Sequence, residues 1–302
     1  MNFKEETAAR AALCEKIIGS FLPAVEDYPF METVVEAMNY SVEAGGKRLR
    51  PMFILETCTM YGGNLDLAAP FMAALEMIHT YSLVHDDLPS MDNDLFRRGK
   101  PTTHAVYGEG MAVLAGDGLL NLAYETAALA FDRTKSEEET HAVIKALRLL
   151  GANAGIRGMV GGQCADLTAE KHPERTDRET LLFIHRNKTS ALIDSGFAIG
   201  AILAGAPQKD IESLHKIAEN IGVAFQIQDD ILDVTGDSRI LGKQVGSDQK
   251  DGKVTWVTMY GLEKAAEDVR ALTEEALSLY DGLSASNGFL RELTLSLVDR
   301  IK

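Results

Sequence analysis

Apolar residues that recur at helical spacing, a scarcity of period-two alternation and turn signals set at helix-length intervals predict an all-α fold, a bundle of about ten or more helices with their hydrophobic faces inward. Phe71, Leu75 and Ile78 mark one such face, and Leu214, Ile217, Ile221, Phe225, Gln228 and Leu232 mark another. Tyr61-Gly62-Gly63-Asn64, Arg98-Gly99-Lys100-Pro101 and Gly205-Ala206-Pro207 punctuate the helices.

The chain of 302 residues contains no Pro/Gly/Ser-rich stretch or long like-charge run that would mark a boundary, so one domain over residues 1–302 is the expectation. Thirty basic against 45 acidic residues give a net charge of −15, which disfavours nucleic acid as a partner. An anionic substrate then requires cations gathered locally, or bound metal. Met1 to Arg10 lacks the pattern of a secretory signal, and the apolar stretch Ser195 to Pro207 is too short to span a bilayer. Cys14, Cys58 and Cys164 are odd in number and far apart, as expected of reduced thiols in a soluble cytoplasmic protein.

Two acidic clusters stand out. Asp86-Asp87-Leu88-Pro89-Ser90-Met91-Asp92-Asn93-Asp94 closes a helix that begins near Asp66. On a regular helix Asp86 and Asp92 point apart, but Pro89 interrupts the ladder and can bring them back together. In Gln226-Ile227-Gln228-Asp229-Asp230-Ile231-Leu232-Asp233 the spacing places an amide and the carboxylates on one helix face. Stacked carboxylates repel and raise one another's pKa unless a cation sits among them. Magnesium suits such a row, because it takes oxygen ligands and bridges carboxylates to phosphates. A single acidic cluster is more often a solvated helix end; two clusters embedded in apolar sequence are harder to read that way.

Gly45-Gly46-Lys47-Arg48-Leu49-Arg50-Pro51 packs three cations between a glycine helix stop and a proline suited to the next first turn, which makes an anion cradle without nearby acid. Arg97-Arg98 follows the first acidic cluster directly, and His79 lies almost on the same stripe as Asp86. Taken singly, Lys188-Thr189, Lys243 and Lys253 would be assigned to solvent.

As an ordered set these motifs, from about Glu43 to Lys253, resemble those of the trans-prenyl diphosphate synthases, and among them the bacterial farnesyl/geranyl diphosphate synthase group. Gly45 to Pro51 is similar to the family's first basic motif, Asp86 to Asp92 with Arg97-Arg98-Gly99 to its first aspartate-rich motif, and Asp229 to Asp233 to its second. Gly161-Gly162-Gln163 with Asp166, Lys188-Thr189, Gln226, and Gly242-Lys243 before Gly246-Ser247-Asp248 follow in the family's order. Leu95-Phe96, Asn187 and Ser190 depart from it without removing an expected ligand.

The resemblance implies an isoprenoid synthase-like fold around a central cavity, and a reaction in which an allylic diphosphate ionises, isopentenyl diphosphate attacks the cation, and a proton leaves. Asp86, Asp92 and Asp229 are then expected to hold magnesium, as three ions with substrate bound, with Asp87, Asp230 and Asp233 in support. Arg97, Lys188, Lys243 and Lys253 would contact the allylic diphosphate, and Thr189 and Gln226 would line the cation. Lys47, Arg50, His79 and Arg98 would bind isopentenyl diphosphate. A homodimer is the family expectation.

By the same resemblance, the bulk of Tyr81, five residues before Asp86, limits elongation and favours farnesyl over geranylgeranyl diphosphate as product. Other readings are a geranylgeranyl diphosphate synthase, a non-catalytic partner subunit, a terpene cyclase or a magnesium-dependent hydrolase. The all-carboxylate second cluster weighs against the cyclase, and the two intact clusters weigh against the inactive subunit.

Overall fold

The computed structural model describes residues 2–236 and 253–298. The chain runs through α1 (Phe3–Gly19), α2 (Glu32–Glu43), α3 (Leu49–Met60) and α4 (Leu65–Asp86), then a two-residue hairpin of β1 (Phe96–Arg97) and β2 (Lys100–Pro101). It continues through α5 (Thr103–Tyr107), α6 (Glu109–Ala128), α7 (Glu137–Ala154), α8 (Met159–Lys171) and α9 (Arg178–Ile184). A π-helical turn, His185–Ser190, leads into α10 (Ala191–Leu203) and the long α11 (Gln208–Thr235). Helices α12 (Trp256–Tyr260), α13 (Leu262–Asp281) and α14 (Gly288–Ser296) complete the described chain. The all-α expectation holds, and the hairpin falls where the Arg98-Gly99 turn signal placed a break. Both turn residues have positive φ, 54° and 76°, the conformation that matches strand twist in tight hairpins.

Helix α4 is the spine. Its side chains are apolar on nearly every side, so it must be surrounded, and α1, α2, α3, α6, α7 and α10 all pack against it. By length and composition alone it could cross a membrane, but 78% of its most apolar window is buried inside this bundle. Asn64 caps its start by accepting from the Asp66 amide. Pro70 lies inside the helix and has no N–H to offer the Asp66 carbonyl one turn back. Arg133 Nη1 supplies a donor to that carbonyl instead, at 2.9 Å.

Elsewhere, one aromatic pair and several polar ones tie distant segments to this core. Phe53 of α3 stacks on Phe197 of α10 at 4.5 Å between centroids. Buried Glu56 accepts from Arg10 Nε of α1 at 2.6 Å and from Asn287, the cap of α14, at 2.7 Å, so one carboxylate joins both ends of the described chain. All three cysteines are free thiols, as the sequence suggested, with Cys14 and Cys58 buried and Cys164 exposed.

His215 of α11 meets Asp194 of α10, Nδ1 to Oδ1 at 2.5 Å, while Asn153 of α7 donates to the other carboxylate oxygen at 2.8 Å. The hydrogen bond to Asp194 raises the His215 pKa above its ordinary 6.5. A raised folded-state pKa means that the pair's stabilisation is complete below the unfolded value and is lost as pH climbs through the folded one. His215→Gln is therefore expected to cost roughly 0.5–1 kcal/mol more at about pH 6 than at about pH 9, as suits a partly exposed pair. Urea unfolding of both proteins at the two pH values checks this, and an equal cost at both would refute it.

Candidate active site

Two chambers lie on either side of Lys188. The larger, about 540 Å³, runs between α4 and α8 and is walled by Arg50, His79, Tyr81, Asp86, Gln163, Lys188 and Thr189, with Met159, Val160, Leu167 and Leu192 among its apolar lining. The smaller, about 280 Å³, is walled by Asp166, Gln226, Asp229, Asp230, Lys253 and His185. Lys188 stands in the wall of both.

The first acidic cluster does fold back as Pro89 suggested. Helix α4 ends at Asp86, and the Asp92 amide donates to the Asp86 carbonyl at 2.8 Å, closing a turn that brings the two residues together. Gln163 Nε2 donates to Asp86 Oδ1 at 2.8 Å. Burial lifts the Asp86 pKa to about 6, with Lys188 opposing the shift and Asp92 adding to it. Asp87 takes a different place. It is buried outside both chambers and accepts a bidentate contact from Arg97, with distances of 2.6, 2.8 and 3.0 Å. The sequence placed Asp87 beside the metal and Arg97 on a diphosphate; the fold pairs them with each other.

On α11, Gln226, Asp229 and Asp230 face the smaller chamber, and Asp233, about one turn further on, lies outside both walls. Asp230 also accepts from the Trp256 amide at 2.8 Å and so anchors the start of α12. Lys243 lies outside the described residues.

Helix α8 contributes a signal that sequence reasoning quoted without assigning a role. Gln163 and Asp166 are three residues apart and share a face, so one reaches Asp86 while the other reaches Lys188 Nζ at 2.5 Å. Asp166 also lies 3.3 Å from Lys253 Nζ, and the two lysines hold its pKa below the ordinary carboxylate value against the effect of burial. Lys253 additionally contacts Glu170 at 3.0 Å.

Lys188 and Thr189 sit in the π-helical turn, whose wider winding shifts side-chain direction within an otherwise helical run. Ser190, a departure from the family pattern, donates its hydroxyl to the His185 carbonyl at 3.0 Å across this turn. Two glycines clasp the turn. A Cβ on Gly162 of α8 would stand 2.1 Å from the Lys188 amide nitrogen, and one on Gly222 of α11 would stand 2.5 Å from the Ser190 Cβ.

Of the basic cradle, only Arg50 reaches the larger chamber, beside His79. Burial and then the guanidiniums of Arg50 and Arg98 hold the His79 pKa well below the ordinary histidine range, so the ring is neutral. Lys47 is exposed in the loop, and Arg98 docks on the Gly45 carbonyl from the hairpin. Arg48, the third cation of the motif, turns inward to Glu76.

The ligand atoms that the carboxylates of Asp86, Asp92 and Asp229 and the amide of Gln226 can offer are oxygen, with Asp86 and Asp229 partly buried in the chamber walls and Asp92 exposed beside Asp86, and such a set favours a hard divalent cation, so magnesium fits. Among the described residues no three His, Cys, Asp or Glu side chains converge closely enough to hold an ion by themselves. A cation here would be completed by oxygen ligands from outside the chain, which is the usual habit of magnesium beside phosphates.

A family model described as "Polyprenyl synthetase" matches residues 31–284. The chain is 44% identical to a geranylgeranyl diphosphate synthase of Cyanophora paradoxa over 80% of its own length and 79% of that protein's. It is also 44% identical to the farnesyl diphosphate synthase of Bacillus subtilis, over 87% of each chain. Among solved structures, a geranyltransferase of Helicobacter pylori complexed with magnesium and isoprenyl diphosphate superposes with a TM-score of 0.80 at 32% identity, covering 99% of this chain and 97% of that one.

Because the atoms facing Gly162 are backbone, they cannot swing aside. Gly162→Ala is expected to lower stability by about 1–3 kcal/mol through overpacking. Denaturant unfolding measures it, and an undiminished midpoint would mean that α8 and the π-helical turn separate more easily than their contact implies.

Proposed function

Because the chain belongs to the polyprenyl synthetase family, we propose that it is a magnesium-dependent prenyltransferase that condenses isopentenyl diphosphate with an allylic diphosphate, releases diphosphate and makes chiefly farnesyl diphosphate. The observation that carries this reading is the position of Lys188, shared by the chamber holding Asp86 and the chamber holding Asp229. A diphosphate between the two carboxylate clusters meets a fixed cation there, and Arg50 with His79 lies in the same larger chamber for a second diphosphate.

In this mechanism Asp86, Asp92 and Asp229 would hold the metal, as three ions, with Asp233 in support from the next turn. When bound, magnesium neutralises the charge that builds on the leaving diphosphate as the C–O bond breaks. Lys188 and Lys253 add positive charge fixed by Asp166, Lys243 adds a third ammonium, and Arg97, oriented by Asp87, adds a guanidinium. Thr189 and Gln226 offer oxygen dipoles to the allylic cation without presenting a reactive thiolate. Met159, Val160, Leu167 and Leu192 keep water from the carbocation. The double bond of isopentenyl diphosphate, held by Lys47, Arg50, His79 and Arg98, forms the new C–C bond, and the adjacent proton passes to the released diphosphate. We place the whole reaction in one domain of a cytoplasmic homodimer, a reading consistent with the exposed apolar Val113 and Leu114 on α6.

The relatives bear both farnesyl and geranylgeranyl names, so membership leaves chain length to the cavity. Tyr81 is buried in its wall, edge-on to His85 at 5.8 Å, and five residues of α4 separate it from Asp86, roughly 7–8 Å along the axis. That depth suits a short chain.

Incubation with isopentenyl diphosphate and dimethylallyl or geranyl diphosphate is expected to give an elongated prenyl diphosphate; free alcohol without elongation would point to a hydrolase. Asp86→Ala and Asp229→Ala are each expected to raise the barrier by roughly 2.7–4 kcal/mol with folding retained. Steady-state kinetics at saturating magnesium tests this, and near-normal turnover would defeat the assignment. Tyr81→Ala is expected to lengthen the main product by at least one isoprene unit, and chromatography showing the parent's chain length at equal substrate ratios would place the floor elsewhere.

A further inference from the structure

Behind the basic cradle lies a charge that neither the motifs nor the mechanism uses. Glu76 of α4 is 2% exposed and sits three residues before His79. Its Oε1 accepts from Arg48 Nη1 at 2.8 Å, and Arg48 is itself only 5% exposed. A buried guanidinium with its buried carboxylate removed is left uncompensated, so neither partner is free to move alone. Arg48 Nη2 also donates to the Val42 carbonyl at 2.6 Å, near the end of α2, and Arg48 Nε lies 3.8 Å from Glu15 of α1.

The backbone explains what this clamp holds. Arg48 is in the left-handed region, φ 49° and ψ 35°, immediately before α3 begins at Leu49. A residue with a side chain is disfavoured there, and the buried ion pair is the interaction able to offset that strain. Lys47 and Arg50 flank that residue. Arg98, also left-handed at φ 54°, leans on the same loop: a Cβ on Gly46 would stand 2.6 Å from its Nη1. Glu76 is thus the buried carboxylate that meets Arg48 directly, and its charge also opposes the lowering of the Arg50 and Arg98 pKa values by desolvation.

We infer that Glu76 is a positioning residue for the metal-free diphosphate site: through Arg48 it fixes the left-handed turn that aims Lys47 and Arg50 and seats Arg98, and so governs affinity for isopentenyl diphosphate. The inference rests on the cradle being that substrate's site. It separates Glu76 from the carboxylates of the two aspartate clusters, which face the other diphosphate.

Glu76→Gln keeps the shape and removes the charge. It is expected to raise the KM for isopentenyl diphosphate roughly tenfold or more, the scale of a hydrogen bond to a charged group, while the KM for the allylic substrate moves less than about twofold. Glu76→Asp, which restores the charge, is expected to recover part of that loss. If Glu76→Gln does not fold, the double variant Glu76→Gln/Arg48→Met removes both buried charges together and is expected to show the same one-sided rise in KM. Arg50→Ala serves as the reference for the cradle itself. A one-sided rise with Arg50→Ala but none with the Glu76 variants would overturn the positioning role and leave the cradle standing. Equal changes for both substrates with Arg50→Ala would overturn both readings, and equal changes confined to the Glu76 variants would reduce Glu76 to a purely structural residue.

Discussion

Burial of α4 on almost every side is the constraint on which the rest of this structure depends. A helix with so little polar surface is stable only when wrapped, and wrapping it sets α1, α2, α3, α6, α7 and α10 in their places. The polar residues that it does carry then gain consequence. Glu76, His79 and Asp86 face neighbours or cavities in a setting where water screens them poorly, so each must find a partner charge, stay neutral or shift its pKa. All three outcomes occur: Glu76 pairs with Arg48, His79 is held neutral, and Asp86 is lifted to about 6.

The same requirement organises the cations. Arg97 is met by Asp87, Lys188 and Lys253 by Asp166, and Arg48 by Glu76, so charges suited to diphosphates are also ordered by carboxylates within the fold. Ordering matters for catalysis, because a donor already fixed in place needs no reorganisation as negative charge develops. The pairs differ in kind. Asp166 touches two lysines beside the smaller chamber, where a polyanion can compete for them, whereas Glu76 is sealed behind the cradle and makes its ion pair with Arg48.

Helix crossings supply the precision. Gly162 and Gly222 let α8 and α11 close on the π-helical turn from two sides, so Lys188 and Thr189 project from a clasped segment rather than from a loose loop. Ser190 fits this crowded position because its hydroxyl is turned back to the His185 carbonyl. Leu95 and Phe96, another departure from the family pattern, are exposed at the hairpin, and nothing in the structure explains their apolar character.

Much of this was readable in the residues before any coordinates. The helical period determined the fold class, since an apolar stripe every three or four residues can be buried only by helix packing. The Asp229 row follows from spacing on a regular helix, and Pro89 told where α4 would stop and let Asp92 return to Asp86. What the sequence by itself could not decide was pairing. Asp87 and Asp86 are neighbours of the same type, yet one is claimed by Arg97 while the other faces a cavity. Arg48 and Arg50 sit two places apart in one motif, yet one turns inward and the other lines the chamber. Glu76 and Asp166 carried no isolated signal, because a carboxylate's partner is fixed by which helix crosses it. Local sequence determines where side chains leave the backbone; only the packed helices decide which charges are brought close enough, and far enough from water, to depend on one another.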